Sequence, residues 1–401
     1  MNTASLAPSR PIPLWLLTLI TISGTMAMHM FVPALPMAGQ DLAASASQMQ
    51  MTISFYVIGL AVGQLFYGPL SDSFGRRPLL MIGLSLYTLF ALIAALTPSV
   101  HTLVAARLGT ALGGCAGLAL GRAIVRDSSQ SDDTVKKLAV LNFMMMVGPG
   151  LSPMVGSLVS GAFGWRAVFW LLAGVGLLTL LLTWKLLPET GRPSGKFTGR
   201  VLVRDYRELL RSPQFVGYAI GGGCATTSMY AFIATAPFLF HTVLHRPIEA
   251  VGAYLGIMVL GMSLGSIATG RLVGRVKSSL LMRAGNLMST LSALAFLGLV
   301  LAGTQSVFWI LAVMFVFTCG AGLTSPNALT RAVSVNPQLT GSAAGLYGFT
   351  QMMIGAICTS LVALGSDPAL AAALILVGAM AVSQVAFWLA GSNTSRLAAS
   401  R

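Results

Sequence analysis

Twelve runs of about 20 apolar residues, set apart by short polar or Pro/Gly-marked breaks, constrain this chain more than any other feature. They lie near residues 14–36, 50–70, 79–97, 100–125, 137–160, 166–187, 213–239, 250–272, 280–302, 306–329, 341–364 and 369–390. A helix rises about 1.5 Å per residue, so each run matches the roughly 30 Å of hydrocarbon in a bilayer. With 55% of its 401 residues hydrophobic and 8% charged, the chain has too little polar surface to cover a soluble domain. The expected fold class is an all-α membrane protein with twelve transmembrane helices in two six-helix halves. The first run follows a short polar segment ending at Arg10, as the core of a secretory leader would, but it is too long for one and a second span follows directly. It is read as a retained first helix.

The basic residues orient these spans independently of hydropathy. If the N-terminus is cytoplasmic, the cytoplasmic loops collect 20 Lys and Arg, while the far side receives only Arg166 and Arg246. Arg107 and Arg122 stay inside the fourth run. That imbalance is what the positive-inside rule requires, so both termini are expected in the cytoplasm. The net charge of +14 therefore reports topology, and nucleic acid is not an expected partner.

Several chemistries find no support. Cys115, Cys224, Cys319 and Cys358 fall within predicted spans without metal-ligand spacing, and packing is their expected role. The chain carries no Gly-Lys-Ser/Thr nucleotide loop to make ATP its energy source. No Ser/His/Asp, paired-acid or metal constellation sits at membrane depth, so an integral membrane enzyme is disfavoured and no cofactor is expected.

The longest cytoplasmic loop divides the chain into an N-terminal half (1–187), a linker (188–212), a C-terminal half (213–391) and a tail (392–401). Within the linker, "RVLVRDYRELLR" puts Val203, Tyr206 and Leu210 on one helical face and Arg204, Arg207 and Arg211 on another, the pattern of an amphipathic helix in the interface plane. A faint internal repeat, "GPLSDSFGRRPLL" at 68–80 against "GRLVGRVKSSLL" at 270–281, supports the halving, and repeats of this kind are a transporter signature.

The first copy of that repeat is more specific than the second. "GQLFYGPLSDSFGRRP", with Gly68, Leu70, Asp72, Gly75, Arg76 and Arg77 in pattern, resembles the loop between helices two and three of the major facilitator superfamily. "LVAARLGTALGG", "GPGLSPMVGSLVSGAFGWRAVFW" and "LPET" extend the resemblance over nearly the whole chain. With "VPALP" and "RAIVRD" they resemble the Bcr/CflA-type drug-resistance branch, a group of proton-coupled multidrug exporters. The resemblance implies a monomer in the bacterial inner membrane, with a small-molecule substrate, protons and the lipid bilayer as partners.

It also implies roles for particular residues. Asp72 would latch the halves on the cytoplasmic side through Arg76, Asp127 and the start of helix eleven near Gly341, with Gly68 permitting close helix approach. The alternative is that Asp72, Arg76 and Arg77 form a merely solvated loop. In helix five, Pro149 and Pro153 each remove a backbone donor while Gly148, Gly150 and Gly156 thin the surface, a kinked and closely packed segment. Arg107 matches the basic helix-four position tied to proton transfer, although Thr110 and Ala111 replace the Gln-Gly common there. Arg122, near the end of the same helix, can simply snorkel.

His29 marks a departure. Aligning "HMFVPALP" on the family's pattern puts His29 where many relatives carry an aspartate, and every carboxylate of the chain falls in a loop or at a helix end. Imidazole cycles between neutral and cationic and ordinarily titrates near pH ~6.5, so His29 is the candidate proton carrier together with Arg107. The other reading makes it a local hydrogen-bonding or substrate-touching group. Without a buried acid, neutral or anionic amphiphiles are the expected cargo. Candidate wall residues, chosen as polar or aromatic groups in apolar spans, are His29, Tyr56, Gln64, Asn142, Tyr230, Phe232, Tyr254, Asn327, Tyr347 and Gln351, with Met144, Met145 and Met146 adding an adaptable surface. The leading expectation is a proton-exchanging drug exporter; the alternative is a metabolite exporter or facilitator of the same fold without proton coupling at His29.

Overall fold

The computed structural model describes residues 12–128, 148, 150–191, 199–303, 306–365 and 367–399. The first half comprises α1 (Leu14–Met30), α2 (Leu35–Asp41), α3 (Ala46–Phe74), α4 (Arg76–Leu96), α5 (Val100–Ser128), α6 (Gly150–Phe163) and α7 (Trp165–Leu186). A short linker helix, α8 (Gly199–Leu210), precedes α9 (Pro213–Thr227), α10 (Met229–Pro237), α11 (Ile248–Leu272), α12 (Ser278–Leu301), α13 (Val307–Ser334), α14 (Thr340–Val362) and α15 (Pro368–Ala399). Among the described residues, eleven segments are long and apolar enough to cross a membrane, counting α1 with α2 and α9 with α10 as single spans. Half of the predicted run 137–160 lies outside the described residues, including Asn142, Met144, Met145, Met146 and Pro149; α6 belongs to its described part. The last helix continues to Ala399, past the expected boundary at 391. The chain is a multi-pass helical membrane protein.

Proline explains where the spans break and which side chains gather at the breaks. A proline lacks the N–H that would close on the carbonyl four residues earlier, and in an apolar interior that carbonyl needs another donor. Pro69 lies inside α3, and the Leu65 carbonyl takes the Tyr206 hydroxyl of α8 at 3.0 Å. Pro326 lies inside α13, and the Gly322 carbonyl takes the Ser266 hydroxyl of α11 at 3.2 Å. Pro33 ends α1 in a short 3₁₀ turn, Val32–Ala34, and Pro237 closes α10 ahead of a π-helical stretch, Phe238–Val243. The first span and the one after the linker are thus both broken by proline.

The halves meet unevenly. At the end of the bundle away from the linker, Val32–Ala34 packs on α10 and α11, and α2 on Phe238–Val243. There α6 lies against α11, with Gly252 over Ser157 and the Pro153 carbonyl, and Gly256 over Gly150. The α3–α14 crossing runs further, from Ser54, whose hydroxyl donates to Thr359 at 2.8 Å, to Gln64 against Gly348. At the linker end Gly68 and Gly341 both face open space, so the close approach expected at Gly68 is not made in this conformation.

Candidate functional site

Arg107 is fully buried, and the break in α1 is what makes that tolerable. The last carbonyls of a helix lack internal donors and carry the negative end of its dipole. Here the Arg107 guanidinium donates through Nη1 to the Ala27 carbonyl at 2.7 Å and through Nη2 to that of Met28 at 3.5 Å. Its flat face stacks on Tyr56, 4.1 Å from the ring centre, with Phe31 and Phe169 at 5.4 and 5.9 Å. Dipoles and π-faces therefore hold this cation where sequence reasoning offered no acid. Tyr56, expected on the cavity wall, is instead committed inside the first half, its hydroxyl donating to the Gly24 carbonyl at 2.5 Å.

His29 sits one residue beyond that clamp. Its Nδ1 lies 2.8 Å from the Thr25 carbonyl, which can only accept, so Nδ1 carries a proton and the neutral ring presents Nε2 as acceptor. The side chain is buried and borders a narrow apolar cavity between α1, α6, α10 and α11. Around it stand Pro153, Met229, Ile233, Leu255, Met258 and Met262. Tyr230 lies alongside, its ring centre 6.4 Å from that of His29. Ile233 precedes Pro237 by four residues as His29 precedes Pro33, so the two halves bring corresponding positions to one cavity.

The other expected wall residues are placed elsewhere. Phe232 makes edge contacts with Phe240 and Phe296 inside the second half. Asn327 spends its amide on the Leu323 carbonyl and the Ser278 hydroxyl. Gln351 bridges to Thr226 at 2.6 Å, Tyr254 rests on Phe240, and Tyr347 is buried near Gly222. Sequence reasoning missed Met229, Met258 and Met262, because a methionine in an apolar span gives no signal that it faces a cavity.

In the helix-five segment, Gly148 rests against Ile22 and Thr25. Gly156 lies directly on the Met30 carbonyl; a Cβ built there would stand 1.8 Å from that oxygen. Gly156→Val is expected to force α6 off α1, costing about 1–3 kcal/mol of stability and most of the transport. Thermal unfolding and export by the purified variant check this; wild-type values for both would show that the contact is not needed.

At the linker end Asp72 pairs with Arg76 at 2.5 Å, and Arg76 with Asp127 at 3.1 Å. Asp72 does not reach α14: its side chain is 63% exposed and the start of that helix is open at Gly341. Gly75 joins α3 to α4 with a φ of 101°, a conformation that favours glycine. Glu189 caps α4, accepting the backbone N–H groups of Arg76 and Arg77 at 2.9 and 3.1 Å, while the Arg77 side chain donates to the Trp184 carbonyl at 2.7 Å. "LPET" is thus a helix cap delivered from α7, a role its sequence alone did not disclose.

The family model of the Major Facilitator Superfamily matches residues 17–360. The chain belongs to the major facilitator superfamily. Among superfamily members it is 28% identical to the bicyclomycin resistance protein homologue of Haemophilus influenzae, over 89% of this chain and 90% of that protein. It is 29% identical to multidrug resistance protein D of Escherichia coli, over 94% of each. Both relatives carry the drug-resistance names of the branch that the motifs resemble. At the level of fold, a bacterial homologue of the human lysosomal transporter Spinster, in an inward-facing, occupied conformation, superposes with a TM-score of 0.75 at 14% identity, covering 98% of each chain. The superfamily transports small molecules across membranes, so a transporter rather than an enzyme is the reading the family supports.

Proposed function

We propose that this chain is a secondary exporter of small amphipathic drugs, driven by proton exchange and favouring neutral or anionic substrates. The observation that carries the reading is His29, a titratable ring whose Nε2 is left as acceptor beside a cavity otherwise walled by Met, Val, Ile, Leu and Pro. Three methionines give that wall a pliable surface suited to varied ligands. The names of the relatives, bicyclomycin and multidrug resistance proteins, point to the same class of cargo.

In this reading the linker end faces the cytoplasm of a bacterial inner membrane and the tight end faces outward. Substrate enters from the cytoplasm between the separated Gly68 and Gly341 surfaces. Closure there brings Asp72, held by Arg76 and Asp127, to the start of α14. Arg107 fixes the end of α1 and hence the position of His29, and its charge discourages cations. Tyr230, whose ring lies beside His29, contributes from the second half together with the Met229, Met258 and Met262 wall.

Selectivity tests this account. In proteoliposomes, counterflow of neutral phenicol-type compounds or lipophilic anions is expected to exceed that of lipophilic cations such as ethidium by about tenfold or more, the penalty of bringing like charge near a buried cation. Preferential cation transport would contradict it.

A further inference from the structure

The linker helix α8 carries an arrangement that export does not use. Arg200, Arg204 and Arg207, with Arg211 one residue past the helix end and still bonded to the Arg207 carbonyl at 3.1 Å, recur at intervals of four, three and four, which at about 100° per residue gathers them within roughly 60° of the helix circumference. All four are exposed. Beside this stripe Val203 and Leu210 stand 66% and 56% exposed, an apolar edge left open next to four guanidinium groups. The rest of the helix is docked on both halves. Leu209 is buried, Tyr206 donates to the Leu65 carbonyl that Pro69 leaves without its helical donor, and Glu208 accepts from Asn336 at 2.9 Å at the turn before α14. Burial pushes the Tyr206 phenol up to about 12, with Asp205 adding to the effect, so the hydroxyl keeps the proton it donates.

We propose that the arginine stripe of α8 is a binding surface for anionic phospholipid, and that lipid held there steadies the α3–α14 crossing to which the helix is fastened. The chemistry is complementary on both counts. Guanidinium groups pair with phosphate diesters, and Val203 and Leu210 lie where the adjoining acyl chains begin. Each basic residue near an anionic surface contributes about fivefold in partitioning, so four on one face discriminate strongly between anionic and zwitterionic membranes. A lipid bound there acts on the crossing because Tyr206 lies next to it: the residue preceding Leu65 is Gln64, which packs on Gly348.

The test is amide hydrogen exchange over residues 199–211 of the full chain in nanodiscs of phosphatidylcholine alone or with about 30% phosphatidylglycerol. Phosphatidylglycerol is expected to slow exchange at least about threefold, and replacing all four arginines with glutamine to abolish the difference. Should that variant fail to insert, the double variants Arg200→Gln/Arg204→Gln and Arg207→Gln/Arg211→Gln are each expected to lose part of it. Equal exchange in both lipids, an undiminished response in the variants, or the same slowing by inorganic phosphate in phosphatidylcholine would overturn the proposal. Because the readout is lipid contact, it is independent of substrate and of proton coupling.

Discussion

Replacing Arg107 with methionine is expected to reduce export at least about tenfold while leaving a folded, membrane-inserted protein. Magnitudes decide between these two outcomes. The substitution removes two charge-assisted hydrogen bonds, about 1.5–3 kcal/mol each, and the contact with the Tyr56 ring, about 0.5–2 kcal/mol. It also relieves the burial of a cation, about 2.5–3.5 kcal/mol or more at a helix centre. The losses exceed the relief by up to about 5 kcal/mol, so the variant is expected to be less stable than the wild type but folded. The larger consequence is geometric, because the Ala27 and Met28 carbonyls lose the donors that fix the end of α1 immediately before His29. Arg107→Lys keeps the charge but cannot span both carbonyls with a planar fork, and is expected to recover only part of the rate. The measurements are thermal unfolding in detergent and export from proteoliposomes. Full recovery by lysine would show that charge alone matters; wild-type export by the methionine variant would remove Arg107 from the account.

The apolar spans were legible in the sequence because they rest on a local pattern, run length. The depth of Arg107 was legible for the same reason. What held it there was not, since its partners are backbone carbonyls some eighty positions away at the end of α1. The cavity wall was read poorly on physical grounds. Polar and aromatic groups in apolar spans need not face a pathway: Tyr56 bonds the Gly24 carbonyl, Asn327 bonds Leu323 and Ser278, and Phe232 packs on Phe240 and Phe296. Methionines that do face the cavity are indistinguishable by type from the others among the chain's 21. The role of Glu189 was hidden because a helix cap supplied from a distant segment leaves no spacing to read.

His29→Asn is the second substitution with a large expected effect. Asparagine can still hydrogen-bond at that depth but cannot take a proton, so uphill transport should disappear while exchange of substrate down its own gradient continues. His29→Asp, which restores a titratable group, is expected to recover part of the coupling and to admit cations, because one of its protonation states places a negative charge at the cavity. The loss on going from histidine to asparagine is expected to be complete for accumulation and less than about threefold for exchange, since binding contacts with the methionine wall remain.

The most direct measurement is accumulation of a neutral phenicol-type compound in everted membrane vesicles acidified inside, wild type against His29→Asn, with and without collapse of the pH gradient. The account predicts accumulation by the wild type that vanishes when the gradient is collapsed, and none by His29→Asn despite continued counterflow. Accumulation by His29→Asn at the wild-type rate, or wild-type accumulation indifferent to the gradient, would contradict it.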